Sequence, residues 1–226
     1  MRVLAVDTAL EACSACVFDA ARSMVLAQES APMQRGHAEA LIPLLERIVG
    51  AAGGFHLLNR VVVTTGPGSF TGLRVAISAG RTIAMALKIP CVGIGTLAAI
   101  AAPYVGAPGV GSVASVIDAK HGNIYFELVN ARGLSMIEPR YMSAREAARS
   151  LGGGMVKIAG PAAHLLGQEA RAVGAAFSLA DPGPSPDIVW VARLGALADP
   201  NQAVPRPTYL KAVDAKPQTE GRVRRI

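Results

Sequence analysis

The run Thr64-Thr65-Gly66-Pro67-Gly68-Ser69-Phe70-Thr71-Gly72-Leu73-Arg74 holds the residue types best suited to chemistry in this chain of 226 residues. It follows an apolar run at 61–63 and precedes a long helical pattern, so it reads as a strand-to-helix turn. Gly66 and Gly68 supply backbone freedom on either side of Pro67, whose own φ is fixed. Ser69 or Thr71 can cap the helix by accepting from an orphan N–H. Free N–H groups and the helix dipole would then point at one place, which makes Gly66, Gly68, Ser69 and Thr71 a candidate anion-binding loop. It is not a Walker loop, because no Gly-Lys-Ser/Thr closes it. Nor is it a dinucleotide fingerprint, because its glycines are spaced G-x-G-x-x-x-G. A tight structural connection is the competing reading.

Other chemistry finds less support. Cys13 and Cys16 form a C-x-x-C pair, but zinc needs a second pair and Cys91 stands alone. The segment 13–18 reads as a strand, where cysteine is a common small core residue. His37, His56, His121 and His164 are scattered, with no His-x-x-x-His or His-Glu-x-x-His among them. No metal ligands and no catalytic residues are expected, and His37 reads as a residue that caps or orients its helix.

The chain reads as a protein of small aliphatic core residues, 51% hydrophobic and only 4% aromatic. No apolar run is long and clean enough to span a bilayer. Met1-Arg2 leads directly into a strand pattern with no room for a signal peptide, so a cytoplasmic protein is expected. The formal charge of +6 lies partly in the tail, where Lys211, Lys216, Arg222, Arg224 and Arg225 face Asp214 and Glu220. Such a tail could touch RNA or an acidic partner, although no base-stacking aromatic set accompanies it.

Strand patterns at 3–6, 13–18, 24–27, 61–63 and 91–94 alternate with two helices in the first half. The helix at 37–51 puts Leu41, Leu44, Leu45 and Ile48 on one face and contains Pro43. In the helix at 70–87, Gly72, Ala76, Gly80 and Ala84 recur every four residues. That stripe lets another element approach closely, either of this chain or of a second one, at glycine's helix penalty of roughly 1 kcal/mol each. The second half begins again in the same way. Val3-Leu4-Ala5-Val6-Asp7-Thr8 is echoed by Ala114-Ser115-Val116-Ile117-Asp118-Ala119, with a further strand opening six residues after each Asp. A capping box at Ser143-Ala144-Arg145-Glu146, strands at 156–159 and 176–179 and helices at 161–173 and 186–197 follow. The tail from 204 reads as extended chain. A repeated hairpin ending in Asp is a duplication signature, and mixed sheets flanked by helices make the fold class α/β.

Halves of this kind resemble the actin, sugar-kinase and heat-shock-ATPase architecture, which implies two βββαβαβα-type subdomains with mixed sheets, at 1–103 and 104–226. The motif at 66–74, the helix start His37-Ala38-Glu39-Ala40-Leu41-Ile42-Pro43 and Pro207-Thr208-Tyr209-Leu210-Lys211 are similar to the YeaZ (TsaB) family of bacterial tRNA threonylcarbamoyladenosine biosynthesis proteins. In ATPases of this architecture a glycine follows the first Asp by two residues, so that backbone N–H groups approach phosphate. This chain has Ala9 there, a displaced Asp118-Ala119-Lys120-His121-Gly122 in the second half, and Ala159-Gly160 in place of the adenosine-binding glycine pair. The catalytic sibling in the family carries two metal-binding histidines, and the matching positions are Thr96 and Ile100, which cannot replace imidazole.

The resemblance therefore implies a non-catalytic scaffold with no cofactor of its own. ATP and metal would sit on its partners, a TsaD-like transferase subunit and a small TsaE-like ATPase. The complex would attach threonylcarbamoyl to N6 of adenosine 37 in tRNAs reading codons that begin with A, and tRNA would be met through the complex. The helices at 37–51 and 70–87 would dock on the transferase through His37, Leu41, Leu45, Ile48, Phe70, Leu73, Arg74, Ala76, Ile77 and Gly80. Alone, the same face could bury itself in a homodimer. The alternatives are an ATP-dependent small-molecule kinase of the same fold, which predicts nucleotide binding, and a metallopeptidase, which predicts bound zinc.

Overall fold

The computed structural model describes residues 1–180 and 183–211, so Asp214, Lys216, Glu220, Arg222, Arg224 and Arg225 of the basic tail lie outside it. Strands β1 (Arg2–Asp7), β2 (Ala12–Asp19) and β3 (Met24–Pro32) form an antiparallel meander. Helix α1 (His37–Ala51) returns the chain to β4 (Arg60–Gly66), which runs parallel to β1. Helix α2 (Phe70–Leu87) then leads to β5 (Cys91–Gly95), parallel to β4. The order in the sheet is β3-β2-β1-β4-β5.

After the short helix α3 (Thr96–Ala101), the pattern repeats. Strands β6 (Ser112–Asp118), β7 (Asn123–Asn130) and β8 (Ser135–Ser143) form the second meander. Then come α4 (Ala144–Arg149), β9 (Val156–Ala159), α5 (Ala163–Ala172) and β10 (Phe177–Leu179). The second sheet has the order β10-β9-β6-β7-β8, the same as the first when read from the opposite edge. This duplicated α/β arrangement is the actin-like fold class expected from the sequence.

Strand alternation divides each sheet into two buried faces. In the first sheet Leu4, Val6, Cys13, Ala15, Val17, Val61 and Val63 face α1 and α2, which bury Leu41, Leu44, Leu45, Ile48, Leu73 and Ala76 against them. Burying each leucine or isoleucine there contributes about 2 kcal/mol. Val3, Ala5, Cys16, Phe18, Val62 and Val92 face the other way. Cys13 and Cys16 therefore sit on opposite faces of the sheet and cannot act as a pair. Burial pushes their thiols up to about 11 and about 12, so both behave as small core residues.

The opposite face of the first sheet is covered from far along the chain. Helix α6 (Ile188–Leu197) packs Ile188, Val191 and Ala192 on it. The Arg60 guanidinium, at the start of β4, fastens α6 by donating from Nη1 to the carbonyls of Gly195, Ala196 and Ala198 at 2.7, 3.1 and 2.8 Å. Between the two halves lies α3, whose Leu97, Ile100 and Ala101 pack against Val113 and Ile117 of β6. Two elements go beyond the sequence reading, β8 and α3. Among the described residues, no helix is long and apolar enough to cross a membrane.

Candidate functional site

Asp7, at the end of β1, is completely buried. Its Oδ1 accepts from the Thr64 hydroxyl and from the Ala9 N–H at 3.1 Å, while Oδ2 has no partner among the described residues. Burial pushes its carboxyl up to about 6, with Thr64, Ala9 and His37 pulling the other way. The glycine turn lies directly on the turn that follows. The Ser69 N–H donates to the Ala9 carbonyl at 2.7 Å, and the Thr8 hydroxyl donates to the Gly72 carbonyl at 2.6 Å. Ser69 is the cap of α2, its Oγ accepting from the Gly72 N–H at 3.3 Å.

Of the candidate anion loop, Gly66 is buried and Gly68 packs on the first turn, the Ser69 N–H is taken by the Ala9 carbonyl while its Oγ accepts from the Gly72 N–H, and Thr71 is exposed. A Cβ on Gly68 would collide with the Ala9 carbonyl. The two turns are thus packed on each other rather than opened toward a ligand. A cleft of about 770 Å³ does lie between the halves, lined by Leu10, Arg35, His37, Ser69, Asp118 and Lys120. Glu11 and Asp118 both line it, and Asp118, the carboxylate of the second acidic turn, is already neutralised. Lys120 donates to Asp118 from both Nζ at 2.9 Å and its backbone N–H at 2.8 Å. Burial works against the ionised form of Asp118, but these contacts hold its carboxyl below the usual range. With Asp7 sealed in the core and Asp118 paired, these residues do not fit a magnesium nucleotide. The metal positions fit no better, because Thr96 is fully buried and Ile100 packs under β6.

Helices α1 and α2 present a different outward face from the one expected. Of the residues expected to dock, Leu41, Leu45, Ile48, Leu73, Ala76, Ile77 and Gly80 are all buried in this chain's own core. The small-residue stripe packs on the first sheet. A Cβ on Gly72 already collides with the Thr8 carbonyl, and the Cβ direction of Gly80 points into the Val63 side chain. What the helices do expose is Ile42 on α1 and Phe70, Arg74 and Met85 on α2, with Ile42 51%, Phe70 53% and Met85 75% accessible. His37 is half-buried at the start of α1, its Nε2 3.1 Å from the Leu10 carbonyl, so it orients the helix.

At the start of α2 the structure gathers a cluster that no local sequence signal announces. Arg74 stacks its guanidinium 3.8 Å above the Phe70 ring, and Tyr209 lies beside Phe70 with ring centroids 5.4 Å apart. Arg74 Nε donates to the Tyr209 hydroxyl at 3.3 Å. In the second half, Glu127 of β7 and its cross-strand neighbour Ser115 are buried, and Glu127 Oε2 and Ser115 Oγ lack partners among the described residues. Burial, helped by Glu138, pushes the Glu127 carboxyl up to about 7.

A family model described as TsaD, tRNA N6-adenosine threonylcarbamoyltransferase, matches residues 25–165. The Escherichia coli (strain K12) tRNA threonylcarbamoyladenosine biosynthesis protein TsaB is 34% identical over 128 residues, 56% of this chain and 54% of that protein. The chain thus spans about half the length of that curated relative in the alignment. An uncharacterized protein of Mycobacterium tuberculosis is 32% identical over 216 residues, 95% of this chain and 94% of its own. The solved structure of YeaZ from Pseudomonas aeruginosa superposes with a TM-score of 0.73 at 23% identity, covering 92% of this chain and 99% of that one. The likeness to YeaZ shows the fold; the family model, matched from the third strand into the fifth helix, and the curated TsaB relatives show that the chain belongs to the TsaB/YeaZ family.

Proposed function

We propose that this chain acts in the formation of threonylcarbamoyladenosine in tRNA, in the cytoplasm, as a non-catalytic scaffold that docks on a TsaD-like transferase subunit. The observation that carries this reading is the contact between the Ser69 N–H and the Ala9 carbonyl. The backbone that would have to cradle a phosphate is used to pack the glycine turn, and the second acidic turn is closed by the Asp118–Lys120 pair. Chemistry then falls to the partners, with metal on the transferase and ATP on a small TsaE-like ATPase that joins near their junction. The tRNA is met through the complex. This chain contributes the outward faces of α1 and α2, where Ile42, Phe70 and Met85 are exposed apolar side chains and Arg74 stacks on Phe70. Aromatic residues and arginine are favoured anchors of such surfaces. Without the transferase, the same face would pair with a second copy of the chain.

Calorimetric titration of the chain with the transferase subunit of the same genome, followed by ATP titrated into the chain alone, tests the proposal. Binding to the subunit with no heat from ATP is the expected result. Strong ATP binding without partner heat would overturn it in favour of a kinase-like enzyme.

A further inference from the structure

We infer that the segment 203–211 is a strap whose Tyr209 holds the docking anchors Phe70 and Arg74 in their binding arrangement, an inference that rests on the transferase-docking reading above. Three features of the first half receive this segment. The Gly93 N–H, on the edge strand β5, donates to the Ala203 carbonyl at 2.8 Å. The register between β4 and β5 shifts between Thr64 and Gly66, which leaves Thr65 out of the ladder; its carbonyl accepts from the Thr208 N–H at 2.8 Å. Room for the passing backbone comes from two glycines. A Cβ on Gly93 would lie 3.0 Å from the Val204 carbonyl oxygen, and one on Gly66 would lie 2.9 Å from that of Thr208. Beyond the cluster, the Lys211 ammonium lies 5.8 Å over the Tyr141 ring of β8, so the strap reaches the second half.

The strap delivers Tyr209 to the one place where it touches both anchors. Its ring lies against Phe70 and its hydroxyl accepts from Arg74, while Arg74 covers the ring of Phe70. All three remain exposed, so the contacts fill no core. An arginine on a surface helix otherwise samples many rotamers and must be ordered when a partner arrives. Stacked on Phe70 and hydrogen-bonded to the Tyr209 hydroxyl, it is ordered beforehand, and preorganisation lowers the free energy lost on docking. Tyr209 is a positioning residue for the interface.

The test titrates the transferase subunit with the full-length chain as wild type, Tyr209→Ala and Tyr209→Phe, with the melting temperature of each free chain measured alongside. Tyr209→Ala should weaken binding about tenfold or more. Tyr209→Phe keeps the ring and should stay within about threefold of wild type. Both free chains should melt within about 2 °C of wild type, since Tyr209 is 49% exposed. Wild-type binding that Tyr209→Ala leaves unchanged overturns this inference alone. A loss of affinity that tracks a fall in melting temperature also overturns it, because Tyr209 would then be a general structural prop. Absence of binding by the wild-type chain overturns both this inference and the docking reading.

Discussion

Two buried carboxyls set the response of this protein to pH. Asp7 and Glu127 each have an oxygen with no partner among the described residues, and burial lifts them to about 6 and about 7 from ordinary values of 3.8 and 4.5. Both are therefore protonated in the folded chain at pH values where the unfolded chain has ionised them. The folded state binds more protons at these two groups across that window, so their contribution to stability is greatest below about 4 and is lost as pH rises through about 7. The ion-paired Glu29 and Asp118, held below the usual range, contribute in the opposite sense at acid pH. Melting temperatures measured between pH 8 and pH 5 should rise as the pH is lowered. Glu127→Gln, whose amide can donate toward the cross-strand Ser115, should raise stability at pH 8 by about 2 kcal/mol and flatten part of that dependence. A melting temperature that falls steadily over the same range would show that neither carboxyl is held neutral.

The elements separate packing from docking. Gly80→Leu drives a side chain into Val63 and should destabilise the free chain by about 3 kcal/mol, read as a lower denaturant midpoint. Phe70→Glu, on the exposed side of the same helix, should leave that midpoint within about 0.5 kcal/mol of wild type. It should cost the transferase complex about 2 kcal/mol. The opposite pattern would return the stripe to the interface. The stripe itself was legible in the sequence, as was the three-and-four spacing of Leu41, Leu44, Leu45 and Ile48. Which neighbour those residues meet was not, because a helix as apolar as α2 carries Val75, Ile77, Ile83 and Met85 around most of its circumference. Strand β8 escaped for another reason: Glu138, Pro139 and Arg140 interrupt the alternation, and a proline is tolerated there because β8 is an edge. Helix α3, six residues long, is too short to show a period. The Arg74–Tyr209 contact joins residues 135 positions apart, and nothing local announces it.

At the scale of the molecule, the two halves are not equally self-sufficient. The second sheet is covered by helices close to it in sequence, α4 and α5 on one face and α3 on the other, whereas one face of the first sheet waits for α6. Arg60→Ala removes the donor shared by the carbonyls of Gly195, Ala196 and Ala198, and should cost about 2 kcal/mol in a thermal melt. A fragment ending at residue 103 should aggregate or stay unfolded, as judged by light scattering and amide dispersion, because Val3, Ala5, Phe18, Val62 and Val92 would face water. A soluble, well-dispersed fragment would show that α6 is dispensable. The placement of α6 also reverses the usual order in which a nascent polypeptide matures. Domains generally close from the N-terminus as they leave the ribosome. Here β1, β2 and β4 must keep an apolar face unfinished until residues 188–197 have been made, while the second sheet, translated in between, can close on α3, α4 and α5 first.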